Sequence, residues 1–383
     1  MLAIVLSGGG AKGAYEVGVW KALKKLKIKY QIVTGTSIGA INGMMMTQNE
    51  FYKCIRLWKN INFEKLYDDF EYTDDVMTIY KNYLDKIIAG GIDTHKIEKI
   101  INDNYKPYKL YNSHISFGVV SFNVSDRKPV YSTTRNTKPS MLKKYILASA
   151  TCYPAFKPTK IGPDTYIDGG FYDNMPLNLA IELGADEIIA VDLGAVGLKK
   201  RIKSKDVKVT YIKPRKKLEA FFMFESNAAR RMINLGFNDT MKVFKKYEGD
   251  IYTFKNGSVK MFDIYKDKMV DLANQYNDMN AIRKINKDVI GIIDNALEIL
   301  EVPVDKVYTC TTCNNELLKR INRIEDINLN NLSIDEIKKL FDKKSITKYF
   351  YTRLKKCDKI NNILINIFTK EFMVAIYLVA IEG

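Results

Sequence analysis

Two consecutive strand-turn-helix units at the amino end constrain the fold more than any other feature of this chain. Residues 3–7 (AIVLS) are apolar and lead into a glycine-rich turn that a helical pattern follows. Residues 31–35 (QIVTG) lead into a second small-residue turn and a second helical pattern over 41–46. Successive units of this kind predict a parallel sheet covered by helices, so we expect an α/β fold.

The rest of the chain divides into an α/β core, an insertion and a helical carboxyl-terminal part. Residues 50–112 are mostly helical in pattern, and we expect them to form an insertion that covers a site. Further strands are predicted near 115–122, 129–132 and 187–192, and the α/β core closes near residue 213.

Beyond Pro214 the sequence becomes poor in glycine and takes a helical periodicity. We therefore expect a catalytic domain over residues 1–300, with its core at 1–215, followed by a mainly helical extension over 301–383.

Charge favours an anionic partner. The chain has 60 Lys+Arg against 44 Asp+Glu, a formal net charge of +16. Such a surface attracts acidic lipid or nucleic acid, but no aromatic and basic recognition motif accompanies it, so we expect no nucleic-acid partner. A basic stretch over 199–217, offset only by Asp206, predicts peripheral contact with an anionic membrane. The alternative is a solvated basic loop without a membrane role.

Targeting signals are not apparent in the sequence. The apolar run Leu2–Leu6 is too short for a secretory signal, and Phe372–Ile381 is well short of the roughly 20 residues that cross a bilayer. Five cysteines without a framework spacing favour a reducing compartment. We expect a cytoplasmic protein without a transmembrane helix, and we interpret the pair Cys310 and Cys313 as incidental, with a zinc or redox site as the weaker alternative.

The string Gly35-Thr36-Ser37-Ile38-Gly39 matches G-x-S-x-G and lies between a predicted strand and a predicted helix. This is the context of a nucleophile elbow, in which small flanking residues permit a strained turn. Ser37 is therefore the candidate nucleophile. The alternative is a glycine-rich turn whose serine caps the helix.

The first glycine loop is the candidate oxyanion hole. Attack on an ester creates an oxyanion that needs N–H donors, and Gly8, Gly9, Gly10 and the N–H of Ile38 are placed to supply them. Alternatively this loop cradles phosphate, because it satisfies G-x-G-x-x-G as far as Gly13. No acidic residue stands about 20 residues on to hold a ribose, and the P-loop spacing also fails. A non-catalytic lipid- or nucleotide-phosphate-binding protein stays as the alternative function.

The general base is the remaining question, since the chain has only two histidines, His95 and His114. Neither has the chain position that a known serine triad order requires. A carboxylate with a raised pKa can act instead. Asp168 ends a predicted strand and precedes two glycines, which makes it the best candidate; Asp192, after another strand, is the rival.

These segments together resemble the signature blocks of the patatin-like phospholipases, in the form found in bacteria. The matching blocks are Gly8-Gly9-Gly10-Ala11-Lys12-Gly13, the G-x-S-x-G string, Asp168-Gly169-Gly170 with Asn174 and Pro176 behind it, and the segment Ala148 to Pro158. The segment Ala148 to Pro158 departs from the family pattern at Thr151 and Cys152.

The resemblance covers roughly residues 1–215 and implies a three-layer α/β/α fold, a Ser37–Asp168 dyad and an oxyanion hole around Gly8–Gly10. It further implies hydrolysis of fatty acyl esters of phospholipids or lysophospholipids, without a metal or other cofactor. We expect a supporting role for six residues of these blocks: Lys12, Gly13, Gly35, Gly39, Gly169 and Gly170.

Overall fold

The computed structural model describes residues 1–62, 78, 81, 84–85, 87–329 and 332–382. The chain divides into two compact units, Met1–Val243 and Phe244–Gly383. The sequence-based division at residue 300 falls inside the second unit. It stays a prediction about where a catalytic domain ends, because compactness alone does not test it.

The first unit is built on a sheet of eight strands in the part of the chain described. Neighbours follow the order β5-β6-β3-β2-β1-β7-β8. β2 and β6 pair with successive parts of one edge of β3, and β4 pairs with its opposite edge. The pairs β1–β2, β1–β7, β2–β3 and β7–β8 are parallel. The strands are β1 Leu2–Leu6, β2 Ile32–Thr36, β3 Ser116–Asn123, β4 Lys128–Thr133, β5 Thr159–Ile161, β6 Asp164–Asp168, β7 Glu187–Val191 and β8 Lys208–Ile212.

Helices cover both faces of this sheet. The helices of the first unit are α1 Gly13–Lys25, α2 Ile38–Thr47, α3 Phe51–Lys59, α4 His95–Asn104, α5 Pro107–Tyr111, α6 Pro139–Ser149, α7 Leu177–Glu182 and α8 Ser226–Val243. Side chains alternate along β1, so Ala3 and Val5 pack with Leu177 and Ala180 of α7 on one face. Leu6 points to the other face, where α2 approaches so closely that a Cβ at Gly43 would contact Val33 and Phe117.

A close crossing of α1 and α8 ties the end of the first unit to its beginning. A Cβ at Gly18 would lie 2.0 Å from the Ile233 carbonyl oxygen, and one at Gly236 would lie 2.0 Å from the Tyr15 carbonyl oxygen. The Tyr15 hydroxyl donates to Asp239 Oδ2 at 2.9 Å. The compact unit therefore extends past the expected core boundary at residue 215.

The second unit is mainly helical. Its helices are α9 Ser258–Met261, α10 Lys266–Gln275, α11 Met279–Lys287, α12 Val289–Ile299, α13 Cys310–Ile321, α14 Ile334–Leu340, α15 Lys343–Lys355, α16 Asn362–Ile367 and α17 Thr369–Glu382. The apolar run Phe372–Ile381 lies in α17 and contributes to the core of this unit, because most of α17 is buried against α15, α12, α10 and α13. A three-stranded sheet joins β9 Tyr247–Glu248, β10 Thr253–Lys255 and β11 Val307–Tyr308.

The predicted fold class is confirmed, with a mainly parallel sheet between helical layers and a helical carboxyl-terminal region. The small sheet β9–β11 was not predicted, since strands of two or three residues leave no periodic pattern. The predicted insertion over 50–112 lies partly outside the described residues. Within them, no helix has both the length and the apolar character needed to cross a membrane.

Candidate active site

Ser37 occupies a strained turn between β2 and α2. Its φ of 56° and ψ of −126° lie outside the regions that non-glycine residues normally adopt. The turn requires glycine on both sides: a Cβ at Gly35 would lie 2.3 Å from the Gly39 carbonyl oxygen, and one at Gly39 would lie 2.6 Å from the Leu6 carbonyl oxygen. The Ser37 N–H donates to Ser149 Oγ at 2.9 Å, which fixes the turn.

The register of β3 brings Asp168 to Ser37 across 131 residues of sequence. Thr36, the last residue of β2, pairs with Val120 on β3, whereas Asp168, the last residue of β6, pairs with Ser121. β2 is parallel and β6 antiparallel to β3, so both strands end at adjacent positions along one edge. The Ser37 side chain consequently lies beside the Asp168 carboxylate, close enough for its hydroxyl to lower the pKa of that carboxyl.

The pKa of the Asp168 carboxyl is raised toward neutral pH. The carboxylate is buried, and burial raises its pKa to about 6, although the nearby Ser37 hydroxyl and the hydrogen bond from the Gly170 N–H oppose the rise. The Gly170 N–H reaches Oδ1 at 2.7 Å. Gly169 permits this turn, since a Cβ there would lie 2.2 Å from the Val120 carbonyl oxygen.

The glycine loop lies against the elbow. A Cβ at Gly8 would lie 3.1 Å from the Ser37 Cβ, and Gly10 has a φ of +56° with no room for a side chain beside the Phe221 carbonyl. The Gly8 N–H was expected to be an oxyanion donor. In the structure it already donates to both the side-chain and the backbone oxygen of Asn174, each at 3.1 Å.

Three other amides remain as donors. Within the described part of the chain, the N–H groups of Gly9 and Gly10 donate to no protein acceptor. The third is the N–H of Ile38, which opens α2 and has no preceding turn to donate to.

An apolar cavity of about 700 Å³ opens at these groups. This volume is in the range of small-molecule and lipid-chain sites. Ser37, Asp168 and the three loop glycines form one part of its wall. Apolar side chains of α2, α3, α4 and other segments form a second part of the wall: Ile41, Leu57, Trp58, Ile61, Ile97, Ile100, Phe156, Ile167 and Phe224. The described part of the predicted insertion thus contributes side chains to the cavity wall.

The supporting residues take distinct places. Lys12 lines the cavity, and burial, together with the charge of Lys217, lowers its pKa. Gly13 lets α1 pack on the elbow, because a Cβ there would lie 2.5 Å from Ile38 Cγ1.

The competing bases lie elsewhere. His95 is exposed and its Nδ1 lies 2.9 Å from Asp93 Oδ1, and His114 is also exposed; neither lines the cavity. Asp192 is bound by Lys199 at 2.7 Å and Lys213 at 3.4 Å. Burial raises its pKa, but hydrogen bonds and the charge of Lys199 outweigh burial and lower it. Of the carboxylates that sequence analysis proposed as bases, only Asp168 contacts Ser37.

Two residues of the site were not among the predicted site residues. Asn174 holds Gly8, and Ser149 holds the backbone of Ser37. Both lie in the sequence blocks that carry the family resemblance, so the motif was a signal for them, but no local pattern shows which groups they contact.

Other chemistries find less support in the geometry. Within the described ranges no three His, Cys, Asp or Glu side chains are grouped as a metal site. Cys310 and Cys313 are free and buried in the first turns of α13, where burial raises the pKa of both thiols.

Comparison with known proteins agrees with this geometry. Residues 4–181 match the family model described as patatin-like phospholipase. Similar curated proteins are patatin-like phospholipase domain-containing protein 7 of Rattus norvegicus (26% identity over 198 residues), patatin-like phospholipase domain-containing protein 6 of Homo sapiens (28% over 202 residues) and lysophospholipase nte1 of Aspergillus terreus (27% over 195 residues).

These alignments span 51%, 51% and 50% of this chain but only 14%, 13% and 12% of the respective relatives. Among solved structures, VipD from Legionella pneumophila is similar with a TM-score of 0.43 and 14% identity, covering 99% of this chain and 90% of that chain. The sequence match over residues 4–181, on a mainly parallel sheet with a glycine loop and a serine elbow, identifies a domain of the patatin-like phospholipase family in this chain.

Proposed function

We propose that this protein is a serine acyl hydrolase that cleaves fatty acyl esters of phospholipids or lysophospholipids. The observation that carries the proposal is the position of the Ser37 hydroxyl beside the buried Asp168 carboxylate, on the wall of an apolar cavity. A nucleophile, a base in contact with it and room for an acyl chain are the three parts that ester cleavage requires.

The reaction begins with proton transfer. Asp168 takes the proton of the Ser37 hydroxyl as the serine oxygen attacks the ester carbonyl. The carbonyl oxygen becomes an oxyanion, which the N–H groups of Gly9, Gly10 and Ile38 stabilise. Asp168 then gives the proton to the departing alcohol oxygen, and the acyl group stays on Ser37.

Water completes the cycle. Asp168 takes a proton from a water molecule that attacks the acyl-enzyme, and the fatty acid leaves as Ser37 recovers its hydrogen. The same carboxylate serves both half-reactions, which requires a pKa not far below neutral pH. The pKa of about 6 that burial gives Asp168 meets this requirement without a histidine.

The substrate class follows from the lining and from the relatives. Most of the cavity wall is apolar, which suits a fatty acyl chain. Lys12 is the one cation among the described residues of the wall, and it is placed to meet a phosphate. The names of two relatives as phospholipase domain-containing proteins and of a third as a lysophospholipase agree with a phosphate-bearing ester.

Two measurements test the proposal. We expect a fluorophosphonate probe to label the protein at Ser37, and defined phospholipids and lysophospholipids to yield free fatty acid. Ser37→Ala should abolish both, whereas Ser125→Ala, at an exposed turn outside the cavity, should change neither. Labelling and fatty acid release that persist in Ser37→Ala would refute the nucleophile. A protein that binds phospholipid without labelling or hydrolysis would instead establish the non-catalytic alternative.

A further inference from the structure

Five large apolar side chains line the cavity and also face solvent. They are 41% to 103% exposed, so they belong to the rim of the cavity and not to its floor: Tyr153, Phe171, Val196, Leu198 and Phe221. Scattered exposed apolar residues are ordinary on a protein surface. Five around one opening form an apolar patch, which is typical of an interaction site.

The rim comes from four separate segments of the chain. Tyr153 follows α6, Phe171 follows β6, Val196 and Leu198 follow β7, and Phe221 precedes α8. Local sequence patterns therefore do not reveal it, and the fold alone brings these side chains to one place.

The loop with Val196 and Leu198 is fixed to the segment that follows Asp168. The Leu198 N–H donates to the Gly170 carbonyl at 3.1 Å, and the Asn174 N–H donates to the Leu198 carbonyl at 2.6 Å. Gly197 packs so closely on Asn174 that a Cβ would lie 2.7 Å from the Asn174 Cβ. Backbone contacts thus hold Val196 fully exposed beside the opening.

Cationic side chains border the apolar rim. Lys200 Nζ lies 3.5 Å from the ring centre of Tyr172, which follows Phe171 in the chain. Lys217 is close enough to Lys12 of the cavity wall to lower the pKa of Lys12. Long cationic side chains next to exposed apolar groups are the arrangement that suits a lipid interface, with stems in the apolar zone and charges at phosphate level.

The basic stretch over 199–217, to which Lys200 and Lys217 belong, is partly paired within the protein. Four of its lysines pair with acids from other segments: Lys199 and Lys213 with Asp192, Lys203 with Glu182, and Lys208 with Glu187. The charge of residues 199–217 is therefore less available to an external anion than the sequence predicts.

We propose that this rim is the surface by which the protein docks on an anionic phospholipid membrane. The side chains of Val196, Leu198 and Phe171 enter the boundary between headgroups and acyl chains, and Lys200 and Lys217 meet lipid phosphates. The proposal rests on the proposed function, because docking here lets an acyl chain pass from the membrane into the cavity without crossing water.

The test uses protein that carries Ser37→Ala, so that binding is measured without ester hydrolysis. Flotation with phosphatidylcholine vesicles, with and without phosphatidylserine, gives the bound fraction. Adding Val196→Asp or Leu198→Asp should lower partitioning onto both kinds of vesicle by about tenfold or more, since each change removes an apolar side chain from the lipid phase. Val124→Asp is the matched control, because Val124 is 41% exposed on the turn between β3 and β4, outside the cavity.

Charge and insertion are separated by a second pair of measurements. Lys200→Glu should weaken binding to vesicles with phosphatidylserine more than binding to phosphatidylcholine alone, and added salt should do the same. Val196→Trp should give a tryptophan emission that shifts to the blue on vesicles and is quenched by brominated acyl chains, whereas Val124→Trp should give neither change. These readouts need no loss of binding, so they hold even if an aspartate variant misfolds.

Three results would overturn docking through the rim. The first is that folded Val196→Asp and Leu198→Asp proteins bind vesicles as well as the parent does. The second is that vesicles leave the emission of Val196→Trp unaltered. The third is that competing nucleic acid releases the protein from vesicles while the rim variants bind vesicles as the parent does. Failure of the proposed function would be seen in a different experiment. Unsubstituted protein would then not be labelled at Ser37, whereas vesicle binding is measured on Ser37→Ala protein and does not depend on labelling.

Discussion

The side-chain oxygen of Asn174 accepts a hydrogen bond from the Gly8 N–H at 3.1 Å, across 166 residues of sequence. This contact joins the glycine loop, which presents the proposed oxyanion donors, to the turn that follows Asp168. Gly170 lies against the same oxygen, where a Cβ would approach to 2.8 Å. Asn174 therefore sets the distance between the donors of the loop and the proposed base.

Replacing Asn174 tests this positioning role. Asn174→Ala removes the side-chain oxygen, one of the two oxygens of Asn174 that accept from the Gly8 N–H. A shift of about 1 Å in a catalytic loop typically costs about 10²-fold in rate. We expect kcat on a soluble aryl ester to fall by about that factor with little change in KM. Asn178→Ala is the matched control, since Asn178 is also buried but bonds the backbone of Arg201 and Lys203 outside the cavity. A rise in KM with kcat unchanged would instead assign Asn174 to substrate binding.

The pH dependence of the reaction should report Asp168. A general base must be ionised, and burial raises the pKa of this carboxyl to about 6. We therefore expect kcat/KM to rise with pH through an apparent pKa near that value and then reach a plateau. Asp173, whose pKa burial also raises to about 6, is outside the cavity, so Asp173→Asn should leave the midpoint in place. A profile that is flat from about pH 5 to pH 8 would contradict the assignment.

Asp168 should also cost the protein stability. A pKa raised from 3.8 to about 6 means that the folded state holds a proton which the unfolded chain has released. Stability therefore falls as pH rises from about 4 to 6, and the full cost at pH 7 is about 3 kcal/mol. We expect Asp168→Asn to raise the free energy of unfolding at pH 7 by up to that amount, and the gain to vanish below about pH 4.

Denaturant unfolding at several pH values measures this effect. Because Asp173 contributes a cost of the same sign, the comparison is the difference between Asp168→Asn and unsubstituted protein at each pH. An Asp168→Asn protein that is less stable than the parent at neutral pH would show that the buried carboxylate is net favourable in the fold.

Local patterns were enough to predict the elbow and the glycine loop. Ser37 stands between a short apolar strand and a helix, and the flanking glycines are required by contacts within a few residues or with the adjacent strand β1. The parallel sheet followed from two such units in succession. These features depend on backbone conformation, which residue type reveals directly.

Contacts between distant segments were not predictable in the same way. The antiparallel pairing of β6 with β3 places Asp168 beside Ser37. No residue type in β6 predicts whether this strand runs parallel or antiparallel to β3. The partners of Asn174 and Ser149, the apolar rim and the ion pairs of four lysines within residues 199–217 likewise depend on tertiary packing. Sequence periodicity reports which face is buried, but not which side chain lies opposite.

The most direct test of the account compares the carboxylate with the two histidines. We expect Asp168→Asn to reduce the rate on a soluble aryl ester by about 10² to 10⁴ while the protein stays folded by circular dichroism, because it loses its general base. Replacement of His95 and His114 together should leave a rate close to that of the unsubstituted protein, because both are exposed and neither lines the cavity. A folded double-histidine variant without activity, or an Asp168→Asn protein with full activity, would contradict the Ser37–Asp168 dyad.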